Sequence, residues 1–184
     1  MKYDPARILV IGPSGVGKTT FARRLAVILA VPHVEVDALR RQADNKIEDL
    51  PERAAQSVGR SQWVLDGNRR NVLALAWPRA TTVILLNYPV HTIFWRRLKR
   101  TLCWVRRRKG RSLRLVLERL GWVARIADRG RQWRDRVHRM QMRYPHLAAF
   151  EFQSPGVAAA FLQSLSAAAS PGLDADVDGP ASSG

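Results

Sequence analysis

The chain has 184 residues, 46% of them hydrophobic, with a single cysteine and a formal net charge of +16. This length indicates one domain that can bury a core without disulfides or metal clips, and one cysteine excludes a disulfide scaffold. No apolar run approaches the roughly 20 residues that span a bilayer, and the N-terminus lacks the apolar core of a signal peptide. We therefore predict a cytoplasmic protein with no membrane segment.

The first predicted element is an apolar strand over 7–11, which runs directly into a glycine-rich loop. From Gly12 to Thr19 the sequence reads GPSGVGKT, which has the G-x-x-x-x-G-K-T form of a phosphate-binding loop. Apolar residues at helical spacing follow and predict a helix over 17–30. A strand before this loop and a helix after it are the context that the motif requires, whereas a glycine-rich turn without a ligand is the alternative.

Each position of the loop has a chemical task in binding a nucleotide. Successive backbone N–H groups point at the β-phosphate, Lys18 bridges the β- and γ-phosphates, and the Thr19 hydroxyl is a magnesium ligand. The N-terminal end of the following helix adds positive partial charge to the same site. We therefore predict ATP and Mg²⁺ as cofactors, bound by Gly12, Pro13, Ser14, Gly15, Val16, Gly17, Lys18, Thr19 and Thr20.

The later elements alternate between short apolar strands and helices. Such alternation predicts an α/β fold of three layers, a P-loop NTPase fold with a five-stranded parallel sheet covered by helices on both faces. The other predicted strands are 33–36, 63–66, 82–87 and 149–152; the other predicted helices are 51–59, 71–76, 91–107, 113–143 and 155–168. We predict that residues 1–169 form this single domain and that 170–184, poor in apolar residues, form a disordered tail.

Positive charge is concentrated in one part of the chain. Between Arg96 and Arg143 there are eighteen Lys or Arg residues against three acidic ones. Such a segment attracts polyanions, so basic helices over 96–143 could bind nucleic acid, although a solvated helix face is the alternative interpretation. The histidines, which include His33, have no metal-ligand spacing and are predicted to be structural.

Several phrases beyond the loop resemble one family. The segment Trp63-Val64-Leu65-Asp66-Gly67-Asn68 is similar to the W-V-I-D-G-N segment of DNA topology modulation proteins, an adenylate-kinase-like group of the nucleoside monophosphate kinase superfamily. Pro32-His33, Asp37-Ala38-Leu39 and Asn87-Tyr88-Pro89 extend the resemblance, which spans about residues 6–165. It implies an ATP-dependent kinase with a short arginine-rich lid at about 106–112.

The resemblance assigns further residues to the site. Asp66, at the end of a central strand, would orient magnesium-bound water. The position of a carboxylate at the carboxyl end of such a strand also predicts that it lies beside the phosphates. The alternative is an aspartate that caps a turn. Arg96 and Arg100 would stabilise the transferred phosphoryl group, whose charge suits guanidinium groups. Asp37, Arg40 and Arg70 would face the acceptor, although Arg40 next to Arg41 also fits a solvated pair.

The acceptor is less well defined than the donor. Adenylate kinases read D-G-F-P-R where this chain has Asp66-Gly67-Asn68-Arg69-Arg70, so AMP is not implied as acceptor. We expect a phosphotransferase that acts on a small nucleotide or hydroxyl acceptor, with a kinase of the shikimate or gluconate type as one variant. The alternative of another class is a nucleic-acid-binding P-loop ATPase of the DNA topology modulation type.

Overall fold

The computed structural model describes residues 6–42, 50–107 and 124–169, with the backbone alone for Arg97, 100–107 and 124–129. The predicted tail, residues 108–112 of the predicted lid and the first part of the predicted 113–143 helix lie outside the described residues.

Five parallel strands form one sheet in the order β2-β3-β1-β4-β5. They are β1 (Arg7–Ile11), β2 (His33–Glu35), β3 (Trp63–Asp66), β4 (Thr82–Leu86) and β5 (Ala148–Phe152). All residues of β3 and β4 are buried, as expected for central strands of a parallel sheet with both faces covered. The five-stranded parallel sheet predicted from the sequence is confirmed.

Seven helices are described. They are α1 (Lys18–Ile28), α2 (Val36–Gln42), α3 (Leu50–Val58), α4 (Arg70–Ala76), α5 (Val90–Arg107), α6 (Ala124–Arg143) and α7 (Pro155–Ala169). None of the helices within the described ranges combines the length and the apolar character that a membrane crossing needs.

Helices cover the two faces of the sheet and create two apolar cores. Ile8 and Val10 of β1 pack with α1 and α7 on one face, whereas Leu9 and Ile11 pack with α3, α4 and α6 on the other. Alternate residues of a strand point to opposite faces, so one central strand contributes to both cores. The result is the predicted three-layer arrangement.

The strand order determines where a site can form. β1 pairs with β3 on one side and β4 on the other, and the chain passes from the β2–β3 half to the β4–β5 half across it. In open parallel sheets the crevice for ligands lies at the carboxyl ends of the strands where the order reverses. The loops after β1 and β3 therefore meet at the position expected for a site.

The predicted and observed elements differ mainly beside β2. The predicted strand 33–36 ends at Glu35, because Val36 is the first residue of α2; a helical turn that carries Asp37 and Arg40 was expected after this strand, but no bounds were predicted for it. α2 has seven residues, fewer than the 11 to 18 over which apolar periodicity identifies a helix. Arg106 and Arg107, expected to begin the lid, are the last residues of α5.

Candidate functional site

The glycine-rich loop bends sharply between β1 and α1. Gly12, Gly15 and Gly17 have φ angles of +143°, +87° and +106°, which residues with a Cβ rarely adopt. At Gly12 an added Cβ would lie 2.3 Å from the carbonyl oxygen of Leu86, the last residue of β4. Glycine is therefore required here both by the backbone angle and by the close approach of two chain segments.

Lys18 lies against its own loop. Its Nζ donates to the carbonyl oxygens of Gly12 and Pro13, each at 3.0 Å. Burial lowers the pKa of Lys18 to about 8, while the negative charges of Asp66 and Asp37 act in the opposite direction. The ammonium group is thus held by two neutral acceptors that a phosphate could replace.

Asp66 connects the loop to the sheet. Its carboxylate is 3% exposed and accepts a hydrogen bond from Thr19 Oγ1 at 2.5 Å through Oδ2. Its other oxygen, Oδ1, lies 3.1 Å from His33 Nε2, a pair in which the imidazole donates because a carboxylate only accepts. Thr19 and Asp66, predicted as magnesium ligands from distant parts of the sequence, are therefore in direct contact.

His33 and Asn68 contact predicted site residues in a way that the sequence did not indicate. His33 was interpreted as a residue with a purely structural role, whereas β2 pairs with β3 in a register that brings its ring to Asp66. Asn68 Nδ2 donates to the Gly12 carbonyl at 2.7 Å, and its buried Oδ1 has no hydrogen-bond partner among the described residues. The only sequence signal for Asn68 was its place in the D-G-N phrase.

A cavity of about 740 Å³ adjoins these groups. Asp37 and Arg70, both predicted to face an acceptor, line it together with Lys18, Thr19 and Asp66. The remaining lining residues are Ser14, Gly15, Gly17, Thr20, Glu35, Gly67, Asn68, Arg69 and Asn71. The cavity is thus lined by the phosphate-binding loop together with carboxylate and guanidinium groups.

Arg40 differs from the other predicted acceptor residues. It is absent from the lining of the cavity, and its buried Nε has no hydrogen-bond partner among the residues that the structure describes. Its neighbour Arg41 donates to Glu35 Oε1 at 3.0 Å, and Arg23 lies 3.5 Å from the other oxygen of that carboxylate. Glu35 is therefore already neutralised, which leaves Asp37 as the acidic group of the cavity wall beside Asp66.

A second cavity of about 360 Å³ lies on the other side of the loop. Arg96 donates from NH1 to the Val16 carbonyl at 2.7 Å, and its guanidinium carbon lies 5.4 Å from the centre of the Tyr88 ring. Pro155 and Ala158, in the first turn of α7, form the opposite wall. Arg100 follows Arg96 by one turn of α5, and its side chain is not among those described.

Thr19 and Asp66 have the chemistry of a magnesium site. Mg²⁺ prefers oxygen ligands and is commonly held by one or two protein side chains together with substrate phosphates. Within the described ranges no group of three or more His, Cys, Asp or Glu residues could hold a metal by itself. A hydroxyl and a carboxylate oxygen 2.5 Å apart therefore fit an ion whose other ligands come from a nucleotide.

Comparisons with known proteins describe the fold and the family. The shikimate kinase structure from Acinetobacter baumannii, in complex with shikimate, superposes with a TM-score of 0.50 at 18% identity, covering 89% of this chain and 94% of that one. A gluconokinase from Sinorhizobium meliloti gives a TM-score of 0.48 at 14% identity, with coverages of 90% and 91%.

Among curated proteins, the HslU ATPase subunit of an ATP-dependent protease from Enterococcus faecalis is 42% identical over 67 residues, or 32% of this chain. Those residues make up 14% of that protein's own length, so the similarity concerns a small part of it. A family model described as an AAA domain matches residues 8–147, most of the present chain. The protein therefore belongs to this AAA domain family (AAA_33), and it has an α/β fold of the P-loop kinase type.

Proposed function

We propose that the protein is a Mg-ATP-dependent phosphotransferase that transfers the γ-phosphoryl group of ATP to an acceptor held in the 740 Å³ cavity. The observation that carries the proposal is the convergence of Lys18, Thr19 and Asp66 on one wall of this cavity. Asp37 and Arg70 line the same cavity. A nucleotide switch without transfer has no need of acceptor groups there.

Lys18 and the loop amides bind the donor phosphates in this proposal. The Lys18 ammonium exchanges the Gly12 and Pro13 carbonyls for phosphate oxygens, which are stronger acceptors because they are charged. Thr19 and Asp66 would hold Mg²⁺, directly or through water, and the charge of the ion would offset that of the donor phosphates. Adenosine would occupy the cavity beside Tyr88 and Arg96.

The transfer itself requires positioning and charge stabilisation. An acceptor oxygen forms a bond to the γ-phosphorus as the bond from that phosphorus to the β,γ-bridging oxygen breaks, and ADP leaves. For a hydroxyl acceptor the proton passes to the Asp37 carboxylate. Arg96, anchored beside the loop by its bond to Val16, stabilises the negative charge of the equatorial oxygens, and Arg100 is given the same task by the family resemblance alone.

We also propose a narrower family relationship for the protein. The W-V-L-D-G-N phrase that ends at Asn68 supports an adenylate-kinase-like protein of the DNA topology modulation group. The contacts of Asp66 with Thr19 and of Asn68 with Gly12 give two residues of this phrase a role beside the phosphates.

The test measures ADP release with Mg-ATP and a panel of hydroxyl and phosphate acceptors. Wild-type protein is expected to turn over with at least one acceptor, whereas Asp66→Asn, which preserves shape but removes the charge, should lower turnover at least a hundredfold. ATP affinity measured without magnesium should change less than threefold. Glu52→Gln, an exposed carboxylate on α3, is the matched control and should retain full turnover. Equal turnover in Asp66→Asn and wild type would contradict the assignment.

A further inference from the structure

The imidazole of His33 contacts Asp66 without lining the cavity. Its Nε2 lies 3.1 Å from Asp66 Oδ1, whereas Thr19 Oγ1 donates to Oδ2 of the same carboxylate. Asp66 and Thr19 line the 740 Å³ cavity, and His33 is not among the lining residues. A ligand in the cavity meets the carboxylate and not the imidazole, so any effect of His33 on that ligand passes through Asp66.

The strand register explains how this contact forms. β2 and β3 are parallel neighbours in which His33 is paired with Val64 and Glu35 with Asp66. Because alternate residues of a strand point to the same face, His33, Val64 and Asp66 share one face of the sheet. Val64 packs with α1 on that face, and α1 also carries Thr19. Asp66 is therefore held between α1 and β2, and each of these elements donates to a different carboxylate oxygen.

A buried carboxylate needs donors at both of its oxygens. Asp66 is 3% exposed, and an ionised group taken out of water is costly unless it is paired and hydrogen-bonded. Its register partner Glu35 brings a second carboxylate to the same face, where adjacent like charges are destabilising. Arg41 and Arg23 pair with the two oxygens of Glu35. The donors to Asp66 are instead the hydroxyl from α1 and the imidazole from β2.

These two hydrogen bonds fix the orientation of the Asp66 carboxylate. The last side-chain torsion of an aspartate has broad, roughly twofold preferences, so a bond to Oδ2 alone still permits rotation. The bond from His33 to Oδ1 holds the plane of the carboxylate and keeps Oδ2 directed at Thr19. Each oxygen of an ionised carboxyl group has about two acceptor sites, so Oδ2 can accept from Thr19 and still serve an ion or its water.

The same chain of hydrogen bonds orients the Thr19 hydroxyl. A hydroxyl has one proton and two acceptor lone pairs. Because the proton of Thr19 is directed to Asp66, its lone pairs remain available to a cation. Partners that hold a metal ligand in its binding geometry are worth about 10–100-fold in metal affinity or activity when they are removed. His33 thus lies where one residue can set the geometry of both predicted magnesium ligands.

A contact that only fastens two strands together is the alternative role for His33. The backbone ladder already joins β2 to β3, and Thr81 illustrates a side chain with that role. Its Oγ1 accepts from the Arg7 amide at 3.1 Å and donates to the Arg7 carbonyl at 3.2 Å. These bonds join the chain at the amino ends of β1 and β4, whereas the cavity lies at the carboxyl edge. Thr81 is therefore a matched structural control.

We propose that His33 is a positioning residue for magnesium: its Nε2–H holds the Asp66 carboxylate so that Asp66 and Thr19 bind the ion of Mg-ATP in a preformed geometry. This inference rests on the proposed phosphotransferase activity and adds a residue that acts through Asp66. It requires the tautomer with hydrogen on Nε2, because a carboxylate oxygen only accepts. Since the role is one of hydrogen bonding, a neutral donor of the same reach can replace the imidazole.

Calorimetry of ATP binding tests the proposal without turnover. The magnesium gain is the ratio of the ATP Kd measured in EDTA to the ATP Kd measured in MgCl₂. His33→Leu removes the donor and should lower the magnesium gain about tenfold, while the Kd in EDTA changes less than twofold. His33→Gln should keep the gain within threefold of wild type, because its amide nitrogen lies about as far from Cβ as the imidazole Nε2 does.

The control is Thr81→Val, which removes hydrogen bonds at the amino edge of the sheet and should leave the magnesium gain unchanged. Equal losses of the gain in His33→Leu and Thr81→Val would overturn the positioning role, because they indicate general destabilisation. Equal losses in His33→Leu and His33→Gln would overturn it as well, because the hydrogen-bond donor would then not be the property that matters.

The tautomer of His33 is tested by NMR spectroscopy. In a long-range ¹H–¹⁵N correlation spectrum of the imidazole groups of the free protein, the His33 signals are those absent from the spectrum of His33→Gln. They should show a hydrogen on Nε2. A ring with hydrogen on Nδ1 alone would overturn the proposal, and this measurement remains decisive if His33→Leu does not fold.

The two proposals can fail separately. If wild-type protein showed a magnesium gain that His33→Leu retained, the phosphotransferase proposal would stand and His33 would lose its positioning role. If the gain depended on His33 but no acceptor supported ADP release, the positioning role would stand and the phosphotransferase proposal would fail. A wild-type protein without any magnesium gain would contradict both the magnesium ligands and the role of His33.

Discussion

Gly12 is the residue at which the loop, the lysine and the third strand meet. Its carbonyl oxygen accepts from Lys18 Nζ at 3.0 Å and from Asn68 Nδ2 at 2.7 Å. When Lys18 turns to a phosphate, its bond to this oxygen is lost. A buried carbonyl without a partner costs about 1–3 kcal/mol, so the amide of Asn68 lowers the free energy needed to release the lysine.

Replacement of Asn68 should therefore weaken nucleotide binding. In Asn68→Ala the Gly12 carbonyl is left without a donor once Lys18 moves, and we expect the Kd for Mg-ATP to rise about tenfold, equivalent to about 1.4 kcal/mol. Isothermal titration calorimetry measures this change. The control is Asn71→Ala. Asn71 lines the same cavity but makes no hydrogen bond to the loop among the described residues. An unchanged Kd in Asn68→Ala would refute the supporting role of the amide.

Lys18 gives ATP binding a distinct pH dependence. Burial holds the pKa of Lys18 at about 8 in the free protein, and phosphates raise it because they favour the charged form. Binding therefore takes up a proton above pH 8, and the affinity decreases as the pH rises. We expect the Kd for Mg-ATP to be about tenfold higher at pH 9 than at pH 7, with buffer-dependent binding enthalpies that reveal the proton uptake.

The control for this titration is Lys18→Arg, because arginine stays protonated throughout the range. Its Kd should be nearly constant between pH 7 and pH 9, whatever its absolute value. A wild-type Kd that is also constant over this range would show that Lys18 remains charged and would contradict the lowered pKa.

At the scale of elements, the approach of the loop to β4 depends on one missing side chain. A Cβ added at Gly12 would lie 2.3 Å from the backbone oxygen of Leu86. An alanine at this position would also have to adopt a φ of +143°. Backbone strain of this kind costs about 1–3 kcal/mol and overpacking a similar amount. Gly12→Ala should therefore lower the free energy of unfolding by about 3 kcal/mol or more, measured by urea denaturation.

Gly156 provides the matched control on another element. It lies in the first turn of α7, and a Cβ added there would have its nearest neighbour, Ser154 Oγ, at 3.9 Å. Gly156→Ala should be neutral or stabilise the protein by up to about 1 kcal/mol, because it reduces the freedom of the unfolded chain. Similar destabilisation by both substitutions would mean that the close approach of Gly12 to Leu86 does not determine the loss of stability.

At the scale of the whole molecule, the sequence predicted the fold and the order of its elements better than it predicted the contacts between them. The contact of Thr19 with Asp66 could be expected, because Asp66 ends one central strand, Thr19 follows the loop after its neighbour, and the carboxyl ends of parallel strands meet at one edge of the sheet. The contacts of His33 with Asp66 and of Asn68 with Gly12 depend on the strand order β2-β3-β1. Sequence periodicity does not contain that order.

The same argument applies to the arginines. Composition showed a basic segment, but only the packing of α6 against the sheet separates Arg134, which contacts Glu151, from Arg136, whose guanidinium carbon lies 5.3 Å from the centre of the Trp133 ring. Residues equivalent in charge and close in sequence thus face different surroundings. A charge count cannot distinguish an arginine paired with a carboxylate from one packed against an aromatic ring.

Nucleotide binding should also stabilise the entire fold. The loop, the start of α4 and α7 border the two cavities, and α4 and α7 cover opposite faces of the sheet, so Mg-ATP binds only when elements from both faces are in place. A ligand at a hundred times its Kd adds about 2.7 kcal/mol of stability, and each kcal/mol raises the Tm of a chain of this size by about 2–4 °C. We expect an increase of about 5–10 °C in calorimetry with Mg-ATP. Lys18→Ala should show no such increase in Tm. The control Lys99→Ala, at an exposed lysine of α5, should show the full increase. Equal increases in both variants would mean that Mg-ATP does not bind through Lys18.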